Sequence, residues 1–195
     1  MTSLDLLTTP RLVLRASDPA LADAVATFYR RNRNAHARWN PPLPDAMFSV
    51  EGQRERLSEA AAAAAAGTQI AWWLFAADAP GMALGQIHFT QIVRRVFCNA
   101  MLGYAIDAAH EGRGLMREAL QAALDDAFGP RVRLHRVQAN VRPENERSLA
   151  LLQRLGFAQE GLAREYLFID GAWRDHLMTA RRNPAWPADE APAQR

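Results

Sequence analysis

Apolar positions along the chain change period repeatedly, and each change marks a boundary. LGYAI, residues 102–106, keeps the short rhythm of a strand. After a glycine-bearing turn, Met116, Leu120, Leu124 and Phe128 recur every four residues. That spacing predicts an amphipathic helix with one buried stripe, and Gly129-Pro130 predicts a left-handed cap followed by a helix breaker. Upstream, RLVLR at 11–15 predicts a strand. Asp18-Pro19 then opens a helix with Leu21, Val25 and Phe28 on its apolar face. Residues 32–49 read as a long loop, because Pro41, Pro42 and Pro44 forbid a regular helix there. A second helix covers 49–66, ends in an alanine run and is closed by Gly67.

Strand-like runs follow at 71–76, 82–93 and 100–106, and again at 134–141 beyond the third helix. Asn145 caps a fourth helix that Gly156 stops. Residues 166–169 and 173–179 form a closing hairpin around Asp170-Gly171. The fold class is therefore mixed α/β, a central mixed sheet flanked by helices, in one domain over 8–183. Residues 184–195, rich in Pro, Ala, Asp and Glu, are expected to fray.

Composition narrows the chemistry. A chain of 195 residues suits one domain with a full core, and a net charge of +2 without a long basic run speaks against nucleic acid as the main ligand. Cys98 is the single cysteine, so no internal disulfide can form; it reads as packing in a reducing compartment. No histidine pair has metal-ligand spacing, so no metal is expected. The N-terminal stretch carries an early Asp5 and no long apolar core, and no segment has the length of a membrane span. A cytoplasmic location is the expectation.

The glycine turn is the candidate site. Gly112 and Gly114 permit a tight bend, and the following helix start offers unpaired amides and a positive dipole end, which together suit a diphosphate. There is no lysine in the sequence, so a P-loop and lysine Schiff-base chemistry are both excluded. Arg117 stands where a dinucleotide fingerprint needs its third glycine. An ordinary strand–turn–helix explains the segment equally well on its own.

The second half of the chain adds specificity. Glu111-Gly112-Arg113-Gly114-Leu115-Met116, Asn145-x-x-Ser148, Leu155-Gly156-Phe157, Glu160-Gly161 and Asp170-Gly171-x-Trp173-x-Asp175 together resemble the GNAT acetyltransferases, in particular their RimJ/RimL branch. Asn32 with Trp39-x-Pro41, Val93-Arg94 before Phe97, and Gly103-Tyr104 are similar to the RimJ type. The resemblance spans about residues 9–186. It implies an enzyme that moves acetyl from acetyl-CoA to a protein N-terminal α-amine, with alanine on a ribosomal protein as acceptor, as a monomer or homodimer. A GNAT acting on a small amine or antibiotic, and a non-catalytic module binding coenzyme A in ribosome assembly, are the alternatives.

By that resemblance, Gly112, Arg113, Gly114, Leu115, Met116 and Arg117 hold the pyrophosphate, with Arg113 either adding charge or remaining solvated. Tyr104, Ala105 and Ile106 pair with the pantetheine arm, and Asn145 touches the cofactor besides capping its helix. Ser148 is the candidate acid for the leaving thiolate. Asn32 and Trp39 belong to the acceptor pocket. Met116 replaces the small residue usual at its position, a departure that RimJ-like sequences share. Glu111 occupies a position where Gln or Arg is usual, so its side chain is expected to point away from the diphosphate. The tyrosine acid common in the family is replaced by Leu152, and its glutamate bases by Leu167 and Asn140; Glu165, Asp170 and His88 are substitutes among which the sequence does not choose, and a water chain is an equal alternative.

Overall fold

The computed structural model describes residues 6–187 and 189–191. Among the described residues eight strands form a single mixed sheet. They are β1 (Leu6–Thr8), β2 (Leu12–Ala16), β3 (Ile70–Ala76), β4 (Ala83–Val93), β5 (Asn99–Ile106), β6 (Arg136–Val141), β7 (Ala158–Ile169) and β8 (Ala172–Arg182). The spatial order is β1-β2-β3-β4-β5-β6-β8-β7, and only the β5–β6 pair is parallel. Four helices cover it: α1 (Ala22–Ala37), α2 (Val50–Ala65), α3 (Leu115–Phe128) and α4 (Glu146–Arg154).

Each face of the sheet has its own core. Trp73, Phe75 and Ala83 bury against Val25, Phe28, Tyr29 and Leu57 of α1 and α2. On the other face Leu14, Trp72, Ile87 and Phe89 meet Met116, Leu120 and Leu124 of α3 and Leu152 of α4. The four-residue stripe of α3 is as the sequence predicts, with Phe128 only half-buried at its end. Ala119, Ala123 and Ala127 flank that stripe and are fully buried, so α3 approaches the sheet closely. Each leucine so enclosed contributes about 1.5–3 kcal/mol of apolar burial.

Several sequence expectations are corrected. The short edge strand β1 precedes the predicted first strand. Helix α1 follows a 3₁₀ turn capped by Asp18 and runs to Ala37, so Asn32 lies in a helix and not in a loop. The true connection, 38–49, contains a 3₁₀ turn at Asp45–Phe48. Gly129 closes α3 in an extended conformation (φ −69°, ψ 174°), not a left-handed one; its N–H donates to Asp125 O. A Cβ there would sit 2.8 Å from that same oxygen, which accounts for glycine without any positive φ. The closing hairpin extends from Ala158 to Arg182, far beyond its predicted tip. The segment expected to fray from 184 packs instead: Trp186 meets the His135 ring edge-on, and Glu190 pairs with Arg133. Residues 188 and 192–195 of that segment lie outside the described residues.

Candidate active site

The site is built where two parallel strands part. β5 and β6 pair at only three positions, ending at Met101 with Gln138. Beyond that point β5 continues to Ile106 and β6 to Val141 without pairing to each other. On its other edge β5 stays bonded to β4, and Asp107 N–H donates to Leu84 O at 2.7 Å. In an antiparallel ladder the backbone groups alternate in direction. Those of Gly103 and Ala105 therefore go to β4, and those of Leu102, Tyr104 and Ile106 turn into the gap. His36 of α1 already takes the Ile106 carbonyl, its Nε2 lying 2.9 Å away. The open edge thus offers both groups of Tyr104 and the N–H of Ile106.

The glycine turn stands at the end of this edge. Gly112 (φ +73°) and Gly114 (φ +76°) are both left-handed, a conformation that costs a side-chain-bearing residue roughly 1–2 kcal/mol. The first bond of α3 runs from Glu118 N–H to Gly114 O at 3.1 Å. The N–H groups of Leu115, Met116 and Arg117 precede that ladder, and Gly114 has no side chain with which to cap them. They are free for an anion, which the helix dipole also favours. Arg11 fastens the loop from outside: its Nη1 donates to Arg113 O at 3.0 Å and its Nε to Glu118 at 2.7 Å. The Glu111 carboxylate, an odd neighbour for a diphosphate, is paired with Arg147 of α4. Arg113 and Arg117 are exposed at the mouth.

α4 stands beside the open edge of β5. Asn145 caps it, its Oδ1 accepting the Ser148 N–H at 3.2 Å. Ser148 Oγ lies 2.5 Å from the Tyr104 hydroxyl, so this pair bridges the first turn of α4 and the open half of β5. Burial pushes the Tyr104 phenol up to about 12 despite its hydrogen bond with Ser148.

A buried network fixes the start of the loop. Asp107, 1% exposed, accepts from Arg31 Nε (2.5 Å), Asn32 Nδ2 (2.9 Å), His110 Nδ1 (2.9 Å) and Ala109 N–H (3.1 Å). Burial alone would raise its pKa. The hydrogen bonds from His110, Asn32 and Arg31, with the Arg31 charge, override that and hold the carboxyl well below its usual range. Asn32 also accepts the Ala108 N–H at 2.9 Å through its Oδ1. With both ends of its amide engaged and 1% exposure, Asn32 presents no surface to an acceptor; it ties α1 to the loop that leads into the glycine turn.

The opposite face of β5 carries different groups. A Cβ on Gly103 would fall 2.1 Å from His88 Nε2, so His88 lies directly over β5 because residue 103 is glycine. Burial, then the nearby Arg56 charge, lowers the His88 pKa to about 4 and keeps the ring neutral. His88 borders a groove of ≈ 450 Å³ between α2 and the sheet, with Ser17, Arg56, Glu59 and Gln86 in its walls. Farther along this face Asn140 Nδ2 donates to the Tyr166 hydroxyl at 3.0 Å, and Tyr166 lies against the His176 ring. The guanidinium groups of Arg38 and Arg142 both lie against the Trp39 ring, 4.1 and 5.5 Å from its centroid, and Arg142 also donates to Arg38 O at 2.6 Å. Of the three substitute bases, only His88 faces this side of β5 beneath α2. Glu165 sits in a bulge of β7, and Asp170 is in the hairpin turn beside Arg174. Sequence reasoning missed Tyr166, His176 and Arg142; strand alternation across the full β7–β8 hairpin was the available signal for the first two, and none marked Arg142, just past the end of β6.

A strand pair that opens beside a bare helix start is the arrangement of an acyl-CoA-dependent N-acyltransferase. Residues 11–158 match the acetyltransferase (GNAT) domain family, and the chain belongs to it. It is 39% identical over 181 residues to the [ribosomal protein uS5]-alanine N-acetyltransferase of Escherichia coli K12, covering 92% of each chain. The crystal structure of a ribosomal-protein-S5-alanine acetyltransferase from Vibrio fischeri superposes with a TM-score of 0.89 at 30% identity, covering 93% of this chain and 98% of that one. Mycobacterium smegmatis RimJ, solved in complex with CoA-disulfide, gives 0.82 at 30% identity, covering 92% and 85%. GNAT enzymes use acetyl-CoA, and the bare amides and open strand edge fit its diphosphate and amide-bearing arm. Among the described residues no group of side chains could hold a metal ion, and no helix is long and apolar enough to cross a membrane.

Proposed function

We propose that this chain transfers acetyl from acetyl-CoA to the α-amine of a protein N-terminus, with an N-terminal alanine of a ribosomal protein as acceptor. The observation that carries the reaction is the parting of β5 from β6, with the bare start of α3 and Ser148 on one side of the opening and His88 on the other. The identity to the uS5-alanine enzyme, held over nearly the whole of both chains, supports the acceptor.

Acetyl-CoA supplies an activated acyl group whose thiol departs as a thiolate. The amides of Gly112–Arg117 bind its diphosphate, while Arg147 neutralises Glu111 and Arg11 neutralises Glu118 at that end. Tyr104 and Ile106 align the amide-bearing arm by strand-like pairing, while the groups of Ala105 remain with β4. A backbone N–H on that edge also polarises the carbonyl under attack. Ser148 donates a proton to the thiolate. The acceptor enters over His88, with Trp39 and the β7–β8 hairpin as walls. An α-amine has a pKa near 7.7–8.0, so roughly a tenth to a sixth of it is neutral at pH 7. That fraction reduces the need for a carboxylate base at the positions occupied by Asn140 and Leu167. Among the described residues only Glu59 supplies a carboxylate to the groove, against Arg56, a poor match for a polyamine.

The test is release of free coenzyme A with three acceptors: a short alanine-initiated peptide, the same peptide N-terminally blocked, and spermidine. Turnover of the free peptide alone is expected. Turnover confined to spermidine, or coenzyme A binding without turnover of any acceptor, would overturn the proposal.

A further inference from the structure

The contact between Tyr104 and Ser148 carries an inference that rests on the proposed role of Ser148. We propose that Tyr104 is a positioning residue: its hydroxyl donates to Ser148 Oγ and so leaves the serine's own hydrogen free for the departing thiolate.

The direction of this hydrogen bond follows from what each hydroxyl can reach. The Tyr104 oxygen lies 2.5 Å from Ser148 Oγ and 3.5 Å from Ser148 O, and both of these acceptors belong to the same residue. A phenol is a stronger acid than an alcohol, so in a short pair of hydroxyls the phenol is the donor. Burial keeps Tyr104 protonated across the working range, with a pKa of about 12, so the donor is present at every pH at which an amine is acetylated. Ser148 has its N–H engaged with Asn145 Oδ1, and its Oγ–H is left to rotate toward an external acceptor. Had the serine been the donor, its proton would be committed to the phenol and withheld from sulfur. Tyr104 therefore has two separable uses. Its main chain lies on the open edge of β5, and its side chain, on the α3–α4 face, sets the polarity of the acid.

The balance of the step is simple. One proton passes from Ser148 Oγ to the thiolate sulfur as the carbon–sulfur bond breaks, and the proton lost by the amine restores the serine through solvent. Tyr104 keeps its own proton throughout and strengthens Ser148 as a donor by polarising it.

The test uses Tyr104→Phe, Ser148→Ala and the double variant, read in two ways. The first is steady-state turnover with the alanine-initiated peptide. Tyr104→Phe is expected to lower kcat about tenfold with KM for acetyl-CoA within twofold of wild type, and to cause no further loss in the Ser148→Ala background. The second is binding of coenzyme A itself, by calorimetry at pH 7 and pH 9.5. A cysteine thiol has a pKa near 8.5 and the alkyl thiol of coenzyme A is a somewhat weaker acid, so at the higher pH a large share of the ligand is the thiolate that a correctly aimed Ser148 stabilises. Wild type is expected to bind several-fold more tightly at pH 9.5 than at pH 7, and both single variants to lose that gain equally. Additive losses in kcat, or a Tyr104→Phe protein that keeps the gain, would overturn the inference. The binding arm stands even if the peptide is not an acceptor. A wild type without peptide turnover refutes the proposed function, whereas an unaltered Ser148→Ala enzyme refutes the acid.

Discussion

Removing the Asp107 carboxylate should unfasten the cofactor loop from α1, and the size of the effect can be worked from its contacts. Asp107→Ala deletes four hydrogen bonds and leaves Arg31, Asn32 and His110 without their shared acceptor. Breaking a buried ion pair from one side costs about 3–5 kcal/mol. The Arg31 side chain is 32% exposed and can rehydrate, which places the expected cost at the lower end, about 3 kcal/mol. For a chain of this size 1 kcal/mol moves Tm by roughly 2–4 °C, so a fall of about 6–12 °C at pH 7 is expected. The pH dependence gives a second check. Because the folded pKa of Asp107 is depressed, its contribution is complete above the unfolded value near 3.9 and fades as pH falls from there toward the much lower folded value. The gap in Tm between wild type and variant should therefore be largest at neutral pH and shrink below about pH 4. Thermal unfolding followed by circular dichroism at pH 7 and pH 3 measures both quantities. A gap under 2 °C at pH 7, or one unchanged at pH 3, would refute the account of this network.

Gly103→Ala would place a methyl group on His88 and displace the ring from β5. Peptide kcat/KM should fall at least tenfold while coenzyme A affinity, measured by calorimetry, stays within twofold, because the cofactor edge faces the other side of the sheet. Arg147→Glu would free the Glu111 carboxylate and add a second negative charge beside the diphosphate site. Its Kd for coenzyme A should rise roughly tenfold at low salt and recover toward wild type as salt screens the added charges; a salt-independent loss would point to damage of α4 instead.

The parts legible in the sequence were those whose cause is local. The stripe of α3 follows from one residue every four, and the bend before it from two glycines that alone accept a positive φ without penalty. The Asn145 cap of α4 and the Asp170-Gly171 turn were readable for the same reason. Asn32 illustrates the opposite case. A stretch as polar as RRNRNAHAR resembles a loop, yet it continues α1 because Asn32 and His36 find partners in Asp107 and Ile106, some seventy residues away. Gly129 was assigned the wrong conformation for a related reason: the need for glycine came from crowding against Asp125 O, which no dihedral preference reveals.

Sequence alone determined the α/β order, the bent amide-bearing turn and the family to which they belong, because periodicity, capping and backbone permissiveness act over a few residues. Tertiary structure decided where β5 and β6 separate, that Tyr104 reaches Ser148, that Arg147 neutralises Glu111, and that His88 lies over Gly103. Those contacts join residues 15 to 44 positions apart whose side chains carry no mark of one another, and only the closing of the sheet and the docking of its helices bring them within bonding distance.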